Sequence, residues 1–268
     1  MLHCNMSYVA VQHGQERMKQ PRANRAETAK AASKATKVSP SVIKVRSTPA
    51  KPRPILTISS RNYSSWSLRG WLLCKLAGLD VEEQVLSLDD PANRAELLLL
   101  APSMLVPRLT HDGASVWDTH AIAEYLAELY PEAGMLPKNR LARAHCRSVS
   151  GEIHSGFYNL RSALPMNLKM RHKNFKIFAG AQPDINRVQT IWEECIERWG
   201  GPFLFGKKPT IADAMYAPVC TRFITYNVPM TDTAKAYCRT IMSWPPMAQW
   251  VEAAKKEPEE IEELDVEF

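Results

Sequence analysis

The sequence predicts a small α/β domain followed by an all-helical one. Three observations lead to this. Short apolar runs of strand length alternate with helical periodicity between residues 55 and 130, an Asp112-Gly113 turn joins two of those runs, and strand signals almost disappear after Pro131. Residues 1–54 stand apart from both domains. They are rich in Ala, Lys, Ser, Gln, Thr and Pro, hold no sustained apolar period, and end in Pro49-Ala50-Lys51-Pro52-Arg53-Pro54, so they read as a disordered basic leader. The expected division is 1–54, 55–137 and 138–268.

Each element has its own local reason. Residues 55–59, ILTIS, form a short apolar run that suits a buried strand. Residues 66–79 repeat apolar side chains at helical spacing and reach Gly78, a suitable C-terminal cap. Residues 81–88 read as a second strand and 91–100 as a helix with proline at its start. A hairpin follows: residues 106–109, the turn His111-Asp112-Gly113, and residues 114–117. Residues 118–129 close the unit as a helix. The order β-α-β-α-β-β-α is that of a thioredoxin-like domain. Beyond it, residues 139–164, 183–199, 210–226, 231–243 and 247–257 all carry helical periodicity. Thr210-Ile211-Ala212-Asp213 is a capping box that belongs to folding.

Composition narrows the function classes. The whole chain is +6, but residues 1–54 hold eleven Lys and Arg against Glu16 and Glu27, a net of +9, which leaves −3 for the rest. The folded part therefore has no basic surplus with which to bind nucleic acid specifically, although the leader could touch polyanions. No apolar run reaches the ~18 residues of a membrane span, and the N-terminus has no continuous apolar signal core. The six cysteines (Cys4, Cys74, Cys146, Cys195, Cys220, Cys238) include no C-x-x-C pair and no histidine at zinc spacing, so reduced thiols, no metal and a cytoplasmic location are expected. The leader contains Arg and few acids, which also fits an organellar transit peptide; an upstream extension without function fits equally.

The stretch NYSSWSLR, residues 62–69, puts four hydroxyl-bearing side chains in front of an amphipathic helix, more than capping requires. With Val106-Pro107 before the hairpin, WDTHAIAEYL after it and FLFGKKPTIADAMYAPV in the helical domain, the chain over residues 55–257 resembles the cytosolic glutathione transferases of serine type, the zeta and bacterial members above all. SSWSLR is similar to the S-S-C-x-x-R of zeta members, with Trp66 in place of cysteine. The resemblance implies an enzyme that uses glutathione as co-substrate. Ser64 stabilises its thiolate, Ser65 lies beside Ser64 in the glutathione site, and one of these serines caps the helix; the cap falls to Ser65 if Ser64 meets sulfur. Tyr63 is the rival hydroxyl.

The resemblance also implies that Val106-Pro107 is a cis-proline turn whose preceding backbone pairs with glutathione. Asp118 and Thr119 would take the ammonium and carboxylate of its γ-glutamyl group. Leu105 departs from the family, which often carries a polar residue there. Implied partners are glutathione, a small hydrophobic electrophile held near His154, Phe157, Tyr158, Arg161 and the methionines of LPMNLKM, and a second copy of the chain in a homodimer. Conjugation, zeta-like isomerisation, dehalogenation and peroxide reduction share this thiol chemistry. A binding or assembly module that keeps the fold without turnover is the alternative.

Overall fold

The computed structural model describes residues 52–86 and 106–258. The leader to residue 51, the helix expected at 91–100 and Leu105 lie outside the described residues.

Strand β1 (Ile55–Ile58) is apolar and almost wholly buried. β2 (Glu82–Val85) pairs with it in parallel, Ile55 opposite Glu82. β3 (Arg108–His111) runs antiparallel to β1 on its other side, and β4 (Ala114–Trp117) antiparallel to β3, giving the mixed order β2-β1-β3-β4. The β3–β4 turn is tighter than the sequence suggested, because His111 stays in the strand opposite Ala114. Only Asp112 and Gly113 turn, both at positive φ (48° and 83°), the backbone twist that a two-residue hairpin requires.

Helix α1 (Ser65–Leu76) follows β1, and α2 (Thr119–Leu129) follows β4; they pack on each other. Gly70 is what lets α1 come close to the proline of Val106-Pro107. A Cβ at residue 70 would lie 2.6 Å from both Cβ and Cγ of Pro107. That peptide bond is cis, in agreement with the family pattern.

The remaining helices are α3 (Arg140–Ser155), α4 (Tyr158–Ala163), α5 (Gln182–Trp199), α6 (Ile211–Thr225), α7 (Asp232–Ser243) and α8 (Pro245–Lys255). The helix expected at 139–164 is two. Gly156 is extended and Phe157 is left-handed (φ 58°, ψ 41°), so the chain breaks between α3 and α4 although the periodicity continues across them. α6 is buried along almost its whole length and packs on α1, α3 and α7, so it is the central rod of the helical part and its contact with the sheet part. The expected capping box starts it: Asp213 Oδ2 accepts from the N–H (2.7 Å) and hydroxyl (2.9 Å) of Thr210. Its Oδ1 accepts from Leu204 N–H (3.0 Å) and the Tyr237 hydroxyl (3.1 Å). Among the described residues, no helix is long and apolar enough to cross a membrane.

Candidate active site

The loop from β1 to α1 determines where the serine run points. Its anchor comes from the far end of the chain. The Glu257 carboxylate accepts from the Ser60 hydroxyl (2.7 Å) and from the backbone N–H groups of Arg61 (3.0 Å) and Asn62 (3.0 Å). Trp250 Nε1 donates to the Arg61 carbonyl at 3.0 Å. Asn62 is buried, and its Oδ1 accepts the N–H groups of Leu168 (2.7 Å) and Lys169 (3.1 Å). This ties the loop to the segment that carries the expected methionines.

Ser64 is the N-cap of α1: its Oγ accepts the Ser67 N–H at 3.2 Å. The expectation that Ser65 would be the cap is corrected. Ser65 is the first helical residue, and its buried hydroxyl donates instead to the Met166 sulfur at 3.5 Å. Ser67 faces the sheet, accepting the Ser59 N–H at 3.0 Å. The hydroxyls of the run thus have separate duties. Only Ser64 is both at the helix mouth and half-exposed.

A cleft of about 350 Å³ brings together most of the other predicted residues: Val106, Pro107, Asp118 and Thr119, with Trp66, His154 and Ser155 completing its lining among the described residues. Ser64 and Ser65 are outside that lining, two and one positions before Trp66. Asp118 caps α2, its Oδ1 accepting from His120 N–H (2.7 Å) and Ala121 N–H (3.3 Å). Its backbone (φ 75°, ψ 133°) is one that L side chains rarely adopt, at a cost of ~1–3 kcal/mol that the surrounding bonds must offset. Such strain concentrates at sites that bind or react.

Trp66, which stands where zeta members have cysteine, is clamped. The guanidinium of Arg69 lies 4.6 Å from the centre of its ring and that of Arg161 5.4 Å, and the His154 ring meets it edge-on at 5.2 Å. Arg69 is fully buried; its Nε donates to the Met215 carbonyl of α6 at 2.8 Å. Burial pushes its pKa down to about 9, with Arg222 and Arg161 adding repulsion. Arg69 and Glu257 had no role assigned from sequence. His154 was expected beside the electrophile, yet the structure puts it against Asp118, with Nε2 3.1 Å from Oδ2. Of its expected neighbours, Tyr158 is 74% exposed, Phe157 is buried, and Arg161 donates to the His154 carbonyl at 3.2 Å.

The described cysteines are all buried. Burial pushes the Cys74 and Cys146 thiols up to about 12, so neither supplies a thiolate at neutral pH. Among the described residues no cluster of three or more His, Cys, Asp or Glu could hold a metal ion.

Comparison with known proteins agrees with this geometry. Residues 63–129 match the N-terminal domain of glutathione S-transferase, and residues 178–253 its C-terminal domain. A probable maleylacetoacetate isomerase of Caenorhabditis elegans is 27% identical over 181 residues, covering 67% of this chain and 83% of that one. A zeta-class glutathione S-transferase of Euphorbia esula is 27% identical over 182 residues, covering 67% and 81%. Among solved structures, a glutathione transferase homologue from Burkholderia with bound glutathione superposes with a TM-score of 0.58 at 24% identity, covering 77% of this chain and all of that one. A bacterial zeta-class maleyl pyruvate isomerase superposes with a TM-score of 0.59 at 21% identity, with the same coverage. The protein is therefore a two-domain glutathione-dependent enzyme. The chain belongs to the glutathione S-transferase family.

Proposed function

We propose that this chain activates the thiol of glutathione for attack on a small electrophile, and that Ser64 stabilises the thiolate. The observation that carries the reading is the meeting, around one cleft, of the Val106-Pro107 turn, Asp118, Thr119 and the first turn of α1. In this reading the Val106 backbone pairs with the cysteinyl unit of glutathione. Asp118 receives the γ-glutamyl ammonium, and Thr119, at the start of α2, helps to hold the γ-glutamyl carboxylate. The sulfur then lies at the mouth of α1. Helix geometry leaves the N–H groups of Ser65 and Trp66 without an intrahelical partner, and the positive end of the helix dipole favours an anion there.

Ser64 contributes a hydrogen bond. As cap it uses an oxygen lone pair, so its O–H remains to donate to sulfur. Each pKa unit by which the thiol is lowered corresponds to about 1.4 kcal/mol of preference for the thiolate. Among reactions of such a thiolate, isomerisation of an activated double bond has support in the names of the relatives. The thiolate adds to one carbon, the former double bond rotates, and elimination restores both the double bond and glutathione. A second cavity of about 600 Å³, lined by Ala163, Pro165, Phe175, Ile177 and Phe178 among others, suits the apolar part of an electrophile. Pro165 adjoins Met166, the residue that Ser65 touches. We also infer a homodimer, as the family resemblance implies; a monomer in micromolar sedimentation would contradict it.

The test is direct. The protein should bind immobilised glutathione and turn over at least one member of a panel of haloaromatic, α,β-unsaturated carbonyl and peroxide substrates. Binding without turnover of any of them would favour a non-catalytic module, and failure to bind glutathione would overturn the reading.

A further inference from the structure

His154 occupies a place that its sequence position alone did not suggest. From α3 it reaches across to the cap of α2. Its Nε2 lies 3.1 Å from Asp118 Oδ2 and its Nδ1 3.4 Å from Thr119 Oγ1, so each ring nitrogen addresses one of the two residues assigned to the γ-glutamyl group. The Asp118 side chain is 41% exposed and that of His154 25%, so a ligand can reach the carboxylate from the cleft that both residues line. Trp66 and His120 meet the ring edge-on, at 5.2 and 4.7 Å, and fix its plane.

We propose that His154 is a positioning residue for glutathione capture: its neutral ring donates from Nε2 to Asp118 and accepts the Thr119 hydroxyl at Nδ1, and a proton added at Nδ1 ends the acceptor role and sets a positive charge against the carboxylate. This rests on the reading that Asp118 and Thr119 receive the γ-glutamyl group. In the neutral state Oδ1 is held by the helix and Oδ2 by His154, so the carboxylate keeps one orientation. Protonation brings a positive charge next to Oδ2, where it competes with the ligand ammonium. It also turns Nδ1 from an acceptor into a donor, so the Thr119 hydroxyl must turn to accept. The groups that face His154 are Asp118 from the α2 cap, His120 from α2, Arg69 from α1 and Arg161 from α4. Burial first, then His120, Arg69 and Arg161, lower the pKa of His154 below its ordinary 6.5, and Asp118 alone opposes them. The ring is thus neutral at pH 7 and gains its proton only at a pH below its ordinary pKa.

S-methylglutathione is the suitable probe, because its sulfur does not titrate and its ammonium stays charged from pH 5 to 8. Calorimetry with the full chain should find affinity falling by about tenfold or more between pH 7.5 and 5. His154→Gln, whose amide can still donate to Asp118 but does not titrate, should lose this slope. Its affinity at pH 7.5 should lie between that of the native protein and that of His154→Ala, which leaves Asp118 unsupported. By reciprocity of linkage, the His154 imidazole resonance followed by NMR should titrate at lower pH with S-methylglutathione bound than without it. A flat profile in the native protein, a slope retained in His154→Gln, or a His154 titration that the ligand does not move would each overturn the proposal. In those cases binding at pH 7.5 would leave the glutathione reading intact, whereas absence of binding at every pH would end both.

Discussion

The Oγ of Ser64 accepts the N–H of Ser67, so the residue proposed to meet sulfur is also the residue that starts α1. Cap and chemistry can be separated, because glycine at an N-cap costs only a few tenths of a kcal/mol while alanine costs ~1 kcal/mol. Ser64→Gly should therefore melt close to the native protein yet lose turnover by about 10 to 100-fold, the loss of one hydrogen bond to an anion. Ser64→Ala should lose both stability and turnover. The ultraviolet band of bound thiolate across pH identifies the donor: an unmoved thiol pKa in Ser64→Gly would remove Ser64 from the chemistry, and a rise in Tyr63→Phe would transfer the role.

Asp118→Asn removes the charge and keeps the cap, while turning an amide NH₂ toward His154 in place of Oδ2. Asparagine is as good an N-cap as aspartate and is among the residues that tolerate positive φ best. Stability should change little, while affinity for glutathione falls about 10 to 100-fold through loss of the ammonium's partner. Unchanged affinity in calorimetry would mean that the ammonium binds elsewhere.

Most of the fold was legible because its causes are local. The Asp112-Gly113 turn and the Thr210–Asp213 box are signals within a few residues, helical periodicity located four of the helices after Arg140 to within a few positions, and the Val106-Pro107 turn followed from the family resemblance. The break at Gly156-Phe157 was not legible, since apolar spacing persists across it and nothing in the residue type of Phe157 announces a left-handed backbone. In the site, Val106, Pro107, Asp118 and Thr119 line one cleft while Ser64 and Ser65 lie outside its lining, and what holds these segments is long-range. Thr119 and His154 are 35 positions apart, and Ser60 and Glu257 are 197 apart. No spacing rule connects such pairs. Arg69 was visible in the motif, but its buried bond to Met215 depends on where α6 lies.

Gly70→Ala should be destabilising although alanine is the better helix former. The added methyl would need the place of the Pro107 ring, 2.6 Å away, and such overpacking typically costs ~1–3 kcal/mol. Because that proline lines the cleft, glutathione affinity should fall together with the melting temperature. A variant as stable as the native protein would show that the proline wall yields freely.

Asp213 predicts a pH dependence of stability. Burial raises its carboxyl from the ordinary 3.8 to about 6, with its four donors opposing. Folding therefore takes up a proton between about pH 4 and 6, and the stability contributed by this group is greatest below pH 4 and falls as pH rises through that window. Asp213→Asn should flatten this part of the stability curve in urea titrations. It should also cost ~1–3 kcal/mol, because the amide NH₂ would face donors at one oxygen's position. An unaltered pH profile would place the slope on another group.

The clasp of Glu257 on Ser60, Arg61 and Asn62 has a consequence for the order in which the molecule comes into being. The loop that carries the serine run leaves the ribosome 197 positions ahead of the carboxylate that receives its hydroxyl and amide groups. Until then α1 can form and pack while its approach remains unfastened. The helix mouth thus acquires its final geometry only once Glu257 has emerged and reached the loop, however early α1 itself has formed.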